Sequence, residues 1–149
     1  MFSLKAHPED QNVLISSGWD STMKIYDIRQ ACPVASIILG KMAGDSLDIF
    51  DDMIVAGCYQ PGENMHVLSL KHMCIADSFT FAQFASDKTS GFLLSSRFTN
   101  DGQFMISGGA GKNQIKVFAN DSDTDRQYNE MLSLNMKSPV ISLAVNPHN

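Results

Sequence analysis

An all-β chain of repeated four-stranded units is the fold class that this sequence predicts, and three observations predict it. The apolar runs are short and are separated by turn residues such as Pro61-Gly62 and Asn100-Asp101-Gly102. No stretch carries the 3.6-residue apolar period of a helix that buries one face. A strand–turn–strand pattern also recurs, with Tyr26, Leu68 and Phe118 closing three similar segments that lie roughly 42 and roughly 50 residues apart.

The first unit opens with the run 2–5 and reaches the clearest hairpin of the chain at 14–29, LISSGWDSTMKIYDIR. Leu14 and Ile15 lead into Ser16, Ser17 and Gly18. Trp19 and Asp20 begin a short polar turn, and Met23, Ile25 and Tyr26 lie on the returning strand, followed by Asp27. The short carboxylate of Asp20 is suited to accept backbone N–H bonds in that turn. Residues 34–39 supply a last strand. The second unit takes 46–50, 53–57, an enlarged turn around Pro61-Gly62, 65–70 and 74–81, with His66 and Leu68 at the positions of Lys24 and Tyr26.

The third unit takes 93–98, 104–107, a glycine-rich turn at 108–112, 114–118 and 128–134. Ser107 falls on Ser16, Lys116 on Lys24 and Phe118 on Tyr26, and the polar connection 86–90 absorbs the longer interval. Residues 140–145 restart the cycle, because Val145-Asn146-Pro147-His148-Asn149 reads like Ala6-His7-Pro8-Glu9-Asp10. The units are about 1–40, 41–85 and 86–136, with the first strand of a fourth at 137–149. Weak alternation inside the strands fits sheets packed on both faces at a spacing of about 10 Å.

The small residues of the first hairpin, its turn aspartate and the closing Tyr26-Asp27 pair resemble a WD repeat, the unit of a β-propeller, which recurs every 40–45 residues or so. Tyr26-Asp27 stands where that family has Trp-Asp. The resemblance implies a partial WD-repeat β-propeller of three four-stranded blades plus one strand. It also implies a polar tetrad of His, Ser or Thr, Asp and Trp in each blade. Unit one keeps Ser16 and Asp20, with Tyr26 replacing the Trp. Unit three keeps Ser107, but Phe118 has no polar handle. Unit two, with Leu68, has lost the tetrad.

Composition narrows the function classes. The chain has 149 residues, 44% of them hydrophobic and 18% charged, which suits a packed globular domain rather than a disordered one. A net charge of −5 argues against sequence-independent nucleic-acid binding, which needs a basic face. No apolar run approaches the roughly 20 residues of a membrane-spanning helix, and the start of the chain has no signal-peptide core. Three cysteines at unrelated spacings, Cys32, Cys58 and Cys74, read as free thiols, which places the protein inside the cell, in cytoplasm, cytoskeleton or nucleus.

Candidate sites for chemistry are few. Gly108-Gly109-Ala110-Gly111-Lys112 lacks the first glycine and the Ser/Thr of a phosphate loop and reads better as a turn needing positive φ. Cys58, His66, His72 and Cys74 do not have the paired spacing of a zinc site. Asp45, Asp48, Asp51 and Asp52 form one acidic group, and Asp121, Asp123 and Asp125 another, and both read as solvated loops rather than acid–base pairs. No nucleophile–base constellation is apparent, so no enzyme activity, cofactor or metal is expected.

A non-enzymatic scaffold, presenting loops and a rim to protein partners within a larger assembly, is therefore the expected function. A narrower resemblance points elsewhere. Leu14, Ile15, Ser16, Ser17, Gly18, Asp20, Ile25, Tyr26, Asp27 and Arg29 are similar to the motif of WD proteins that dock on the adaptor of cullin–RING ubiquitin ligases. This resemblance implies adaptor contact at Arg29 and a role as substrate receptor. Propellers have 4–8 blades, so three blades and a strand are expected to need further sequence or another chain to close the ring.

Overall fold

A computed structural model describes residues 2–81, 92–121 and 127–146 of the chain. Among these residues there are twelve strands and no helix, so no helix is long and apolar enough to cross a membrane. The strands are β1 (Ser3–Ala6), β2 (Val13–Ser17), β3 (Thr22–Asp27), β4 (Ala35–Ile38), β5 (Leu47–Phe50), β6 (Met53–Gly57), β7 (Met65–Ser69), β8 (Cys74–Phe79), β9 (Phe92–Phe98), β10 (Phe104–Ala110), β11 (Gln114–Asp121) and β12 (Gln127–Asn135). Each consecutive group of four forms one antiparallel sheet in sequence order.

The tight turns explain this order. In the first sheet, Ile15 pairs with Ile25 across the hairpin, and the turn between them is closed with Ser21 at φ 63°. The second sheet begins with a two-residue turn, Asp51-Asp52, between the partners Phe50 and Met53. Its Asp51 takes φ 48°, a conformation that Asp tolerates better than most residues. The three sheets meet through their first strands: β1 lies against β5, and β5 and β6 against β9.

Two apolar layers join them. Ile15, Met23 and Ile25 of the first sheet pack on Leu47, Ile54 and Leu68 of the second. On its other face the second sheet sets Met53, Val55, Met65 and Val67 against Leu93, Met105, Phe118 and Tyr128 of the third. All of these residues are fully or nearly buried, and each brings the usual transfer gain of about 25 cal/mol per Å² of apolar surface.

Two expectations change. Residues 108–110 continue β10 instead of forming a turn, because the strand takes a bulge between Gly108 and Gly109 and stays paired with β9. Bare backbone makes that possible: a Cβ on Gly109 would lie 1.9 Å from the carbonyl oxygen of Phe92. Residues 140–145 are not a strand. The segment crosses the third sheet, with Val140 N–H bonded to the Gly109 carbonyl at 3.1 Å and Leu143 N–H to Ser95 Oγ at 3.1 Å. No ladder partner for it exists among the described residues, and a strand is defined by its ladder. The connection 86–90 and residues 147–149 lie outside the described residues.

Candidate interaction surface

Hairpin turns leave this assembly at two ends, and the two ends differ in chemistry. At the first end, the β2–β3 and β6–β7 turns meet the starts of β1 and β9. Four rings form a row there: Phe2 to Trp19 at 6.1 Å between centroids, Trp19 to Tyr59 at 5.8 Å, and Tyr59 to Phe92, stacked, at 4.4 Å. The row crosses all three sheets. Phe2 is 59% exposed and Trp19 47%, and the Lys41 ammonium sits 5.5 Å from the Trp19 ring. Backbone bonds hold the row in place, Tyr59 N–H to the Lys41 carbonyl and Leu93 N–H to the Cys58 carbonyl. Sequence reasoning missed this surface, since Trp19 was legible only as a hairpin residue.

At the other end the turns are polar. His7 Nδ1 accepts the N–H groups of Glu9 and Asp10, so its Nε2–H is left to donate to the Asp51 carbonyl at 3.1 Å, which ties the first sheet to the second. Asp52 accepts from Ser69 Oγ at 2.8 Å and from Lys71 N–H. Asp101 caps its own turn, accepting from Thr99 Oγ1 and Gln103 N–H.

One carboxylate links all three sheets. Asp45 accepts from Ser3 Oγ at 3.2 Å, lies 3.7 Å from the Lys5 ammonium and pairs with the Arg97 guanidinium. Burial opposes ionisation of Asp45, yet Arg97, Lys5 and Ser3 together hold its carboxyl below the ordinary range. The acidic group seen in the sequence is thus divided: Asp45 and Asp48 bind neighbouring sheets, while Asp51 and Asp52 form a turn. Asp123 and Asp125 lie outside the described residues.

The repeat positions fall on corresponding strands. Tyr26 on β3, Leu68 on β7 and Phe118 on β11 pair with Leu14, Ile54 and Met105 on the second strand of each sheet. Leu68 and Phe118 are buried against the preceding sheet, and Tyr26 is half-buried on the outer face of the first. Ser16 is buried, and Ser107 donates to Ser96 Oγ at 3.0 Å rather than to a turn aspartate. Asp20 is exposed and accepts Thr22 N–H at 3.4 Å. Asp27 takes both nitrogens of the Arg29 fork, Nε at 2.8 Å and an Nη at 2.7 Å, and these bonds with the Arg29 N–H pull its carboxyl down to about 2. Arg29 is exposed, but its fork is already occupied.

The remaining candidates are dispersed. Cys58 and His66 are buried while His72 and Cys74 are exposed, and no group of three potential ligands could hold a metal among the described residues. His66 Nδ1 bonds Ser78 Oγ at 2.8 Å, and burial lowers its basicity against the opposing effect of Glu63. Burial also pushes the Cys58 thiol up to about 12. Gly111, at φ 89°, and Asn113, at φ 51°, close the β10–β11 turn.

No family model matches the sequence, and neither does any curated protein. Solved structures do match. A chain in "Crystal Structure of Mitotic Checkpoint Complex" superposes with a TM-score of 0.72 at 12% identity, over 93% of this chain and 43% of that one. The fold is a partial β-propeller. Its three sheets are blades, with β1, β5 and β9 nearest the axis. The chain spans less than half the length of that neighbour. Since 278 chains match this architecture, the likeness identifies a fold and leaves the role to the surface.

Proposed function

We propose that this chain is a non-enzymatic, WD-repeat type scaffold for protein–protein interaction, acting as a subunit or portion of a larger intracellular assembly. The row Phe2, Trp19, Tyr59 and Phe92 carries the proposal. Phe2 and Trp19 are exposed, Tyr59 and Phe92 behind them are half-buried, and aromatic rings fixed in this way beside a cation are among the side chains that most often anchor a protein interface. The outer faces of blades one and three support it further, with Leu4 52% exposed, Ile38 78%, and Leu132 and Leu134 half exposed. Such faces suit further propeller strands, from additional sequence or from another chain.

The test is co-purification of the tagged chain with identification of the recovered proteins, repeated with Trp19→Ala. Partners recovered with the native chain and lost with Trp19→Ala support the scaffold. Native chain that recovers nothing specific contradicts it. Recovery of a cullin–RING adaptor that is lost with Arg29→Ala would instead favour the substrate-receptor reading.

A further inference from the structure

The end of the propeller opposite the aromatic row holds two adjoining cavities. The larger, about 710 Å³, lies where the β1–β2, β5–β6 and β9–β10 turns gather, between Glu9, Asp48 and Asn100. The smaller, about 410 Å³, continues from it between blades two and three toward Asn120 and Tyr128. Phe50 and Asp51 belong to both, so together they form one groove. Both volumes lie in the range of about 300–1,000 Å³ usual for ligand sites.

The groove has an aromatic floor and acidic walls. Phe50 stands 6.3 Å from Phe98, which stands 6.1 Å from Tyr128. The Phe50 ring rests on bare backbone: Gly102 has φ 66°, and a Cβ there would lie 2.1 Å from that ring. Glu9, Asp48, Asp51 and Asp101 line the walls, and no Lys, Arg or His lines either cavity among the described residues. His7 and Lys71 line a separate cavity of about 250 Å³ on the far side of Asp51.

Two of the four carboxylates are already engaged. Asp48 accepts Phe98 N–H and faces Lys5, and Asp101 caps its turn. The carboxylates of Glu9 and Asp51 have no bonding partner among the described residues.

We propose that this groove binds an extended, positively charged peptide segment of a partner protein, with Lys or Arg heads at Glu9 and Asp51 and their aliphatic stems over Phe50. Lys and Arg side chains match such a surface, since each couples an apolar stem to a cationic head. A phosphate-bearing ligand is disfavoured, because the walls would repel it. The proposal rests on the scaffold reading but names a surface separate from the aromatic row.

Fluorescence anisotropy tests it, using the full chain purified with whatever chains accompany it and a labelled peptide alternating Lys and Ala. The expected result is salt-sensitive binding that weakens about fivefold or more in the Glu9→Gln/Asp51→Asn double variant. Asp51→Glu with Glu9→Asp should restore it, which separates charge from folding. Equal binding of a Glu–Ala peptide, unchanged binding by the double variant, or full displacement by an equal concentration of spermine would each overturn the proposal. Co-purification through Trp19 reports on the scaffold reading independently, so either idea can fail alone.

Discussion

Blades one and two are built from the same hairpin pattern, yet their strands meet different surroundings. Every residue of β6 and β7 is buried, whereas β3 alternates between buried and half-buried positions. Both faces of blade two are covered, by blade one on one side and blade three on the other. Among the described residues blade one is covered on one face only, so Ile15 and Ile25 are buried while Leu4 and Ile38 on its other face are exposed. Burial here belongs to the neighbour and not to the strand. Tyr26 and Leu68 hold equivalent register positions and differ in exposure for that reason.

Substitutions at the core positions should have the greatest consequence. Phe118→Ala should cost about 3–5 kcal/mol and Leu68→Ala about 2–5 kcal/mol, because each leaves a cavity between two blades. Tyr26→Ala should cost less, about 1–2 kcal/mol, since one side of that ring faces solvent. Chemical denaturation of the three variants measures this, and equal costs would show that the blades are not distinguished by packing.

Titration sharpens the contrast next. Cys58 and His66 both belong to the two-faced blade, and burial shifts both toward their neutral forms. A thiol held up at about 12 stays protonated in the folded chain while the unfolded chain ionises near 9.0, so stability falls as pH rises between them. A histidine held below 6.5 binds fewer protons when folded, so stability also falls as pH drops below 6.5. Melting temperature against pH measures both slopes, and Cys58→Ala should flatten the alkaline one. Thiol labelling adds a check: exposed Cys32 and Cys74 should react quickly, and Cys58 only on unfolding.

The smallest effect is expected at the exposed rim of blade one. Asp27 is held down at about 2 by Arg29, so its contribution is present above 3.8 and lost as pH falls through about 2. Arg29→Ala should therefore lower the melting temperature slightly at pH 7, with the difference shrinking as pH falls through about 2 and vanishing only below it. A difference that persists in acid would place the role of Arg29 elsewhere.

The strands of each blade were legible because the short apolar runs and their turn residues are local signals, as the 53–57 and 65–70 pair shows. What depends on distant neighbours was not legible. Gly108–Ala110 read as a turn and became strand because the Phe92 backbone approaches where only glycine fits. Residues 140–145 read as a strand from their apolar pattern, but pairing needs a partner that pattern alone does not supply. Asp45 read as one of four clustered acids, and only the folded chain brings Arg97 to it. The aromatic row and the acidic groove draw on turns far apart in the chain and carry no local signature.

If the exposed outer faces of blades one and three are contact surfaces, as a scaffold requires, sedimentation velocity on the purified chain, paired with a thermal melt, will show it. The chain should self-associate or travel with a partner, and should melt broadly when separated from it. A monodisperse monomer with a sharp, reversible and concentration-independent transition would show that these faces need no partner.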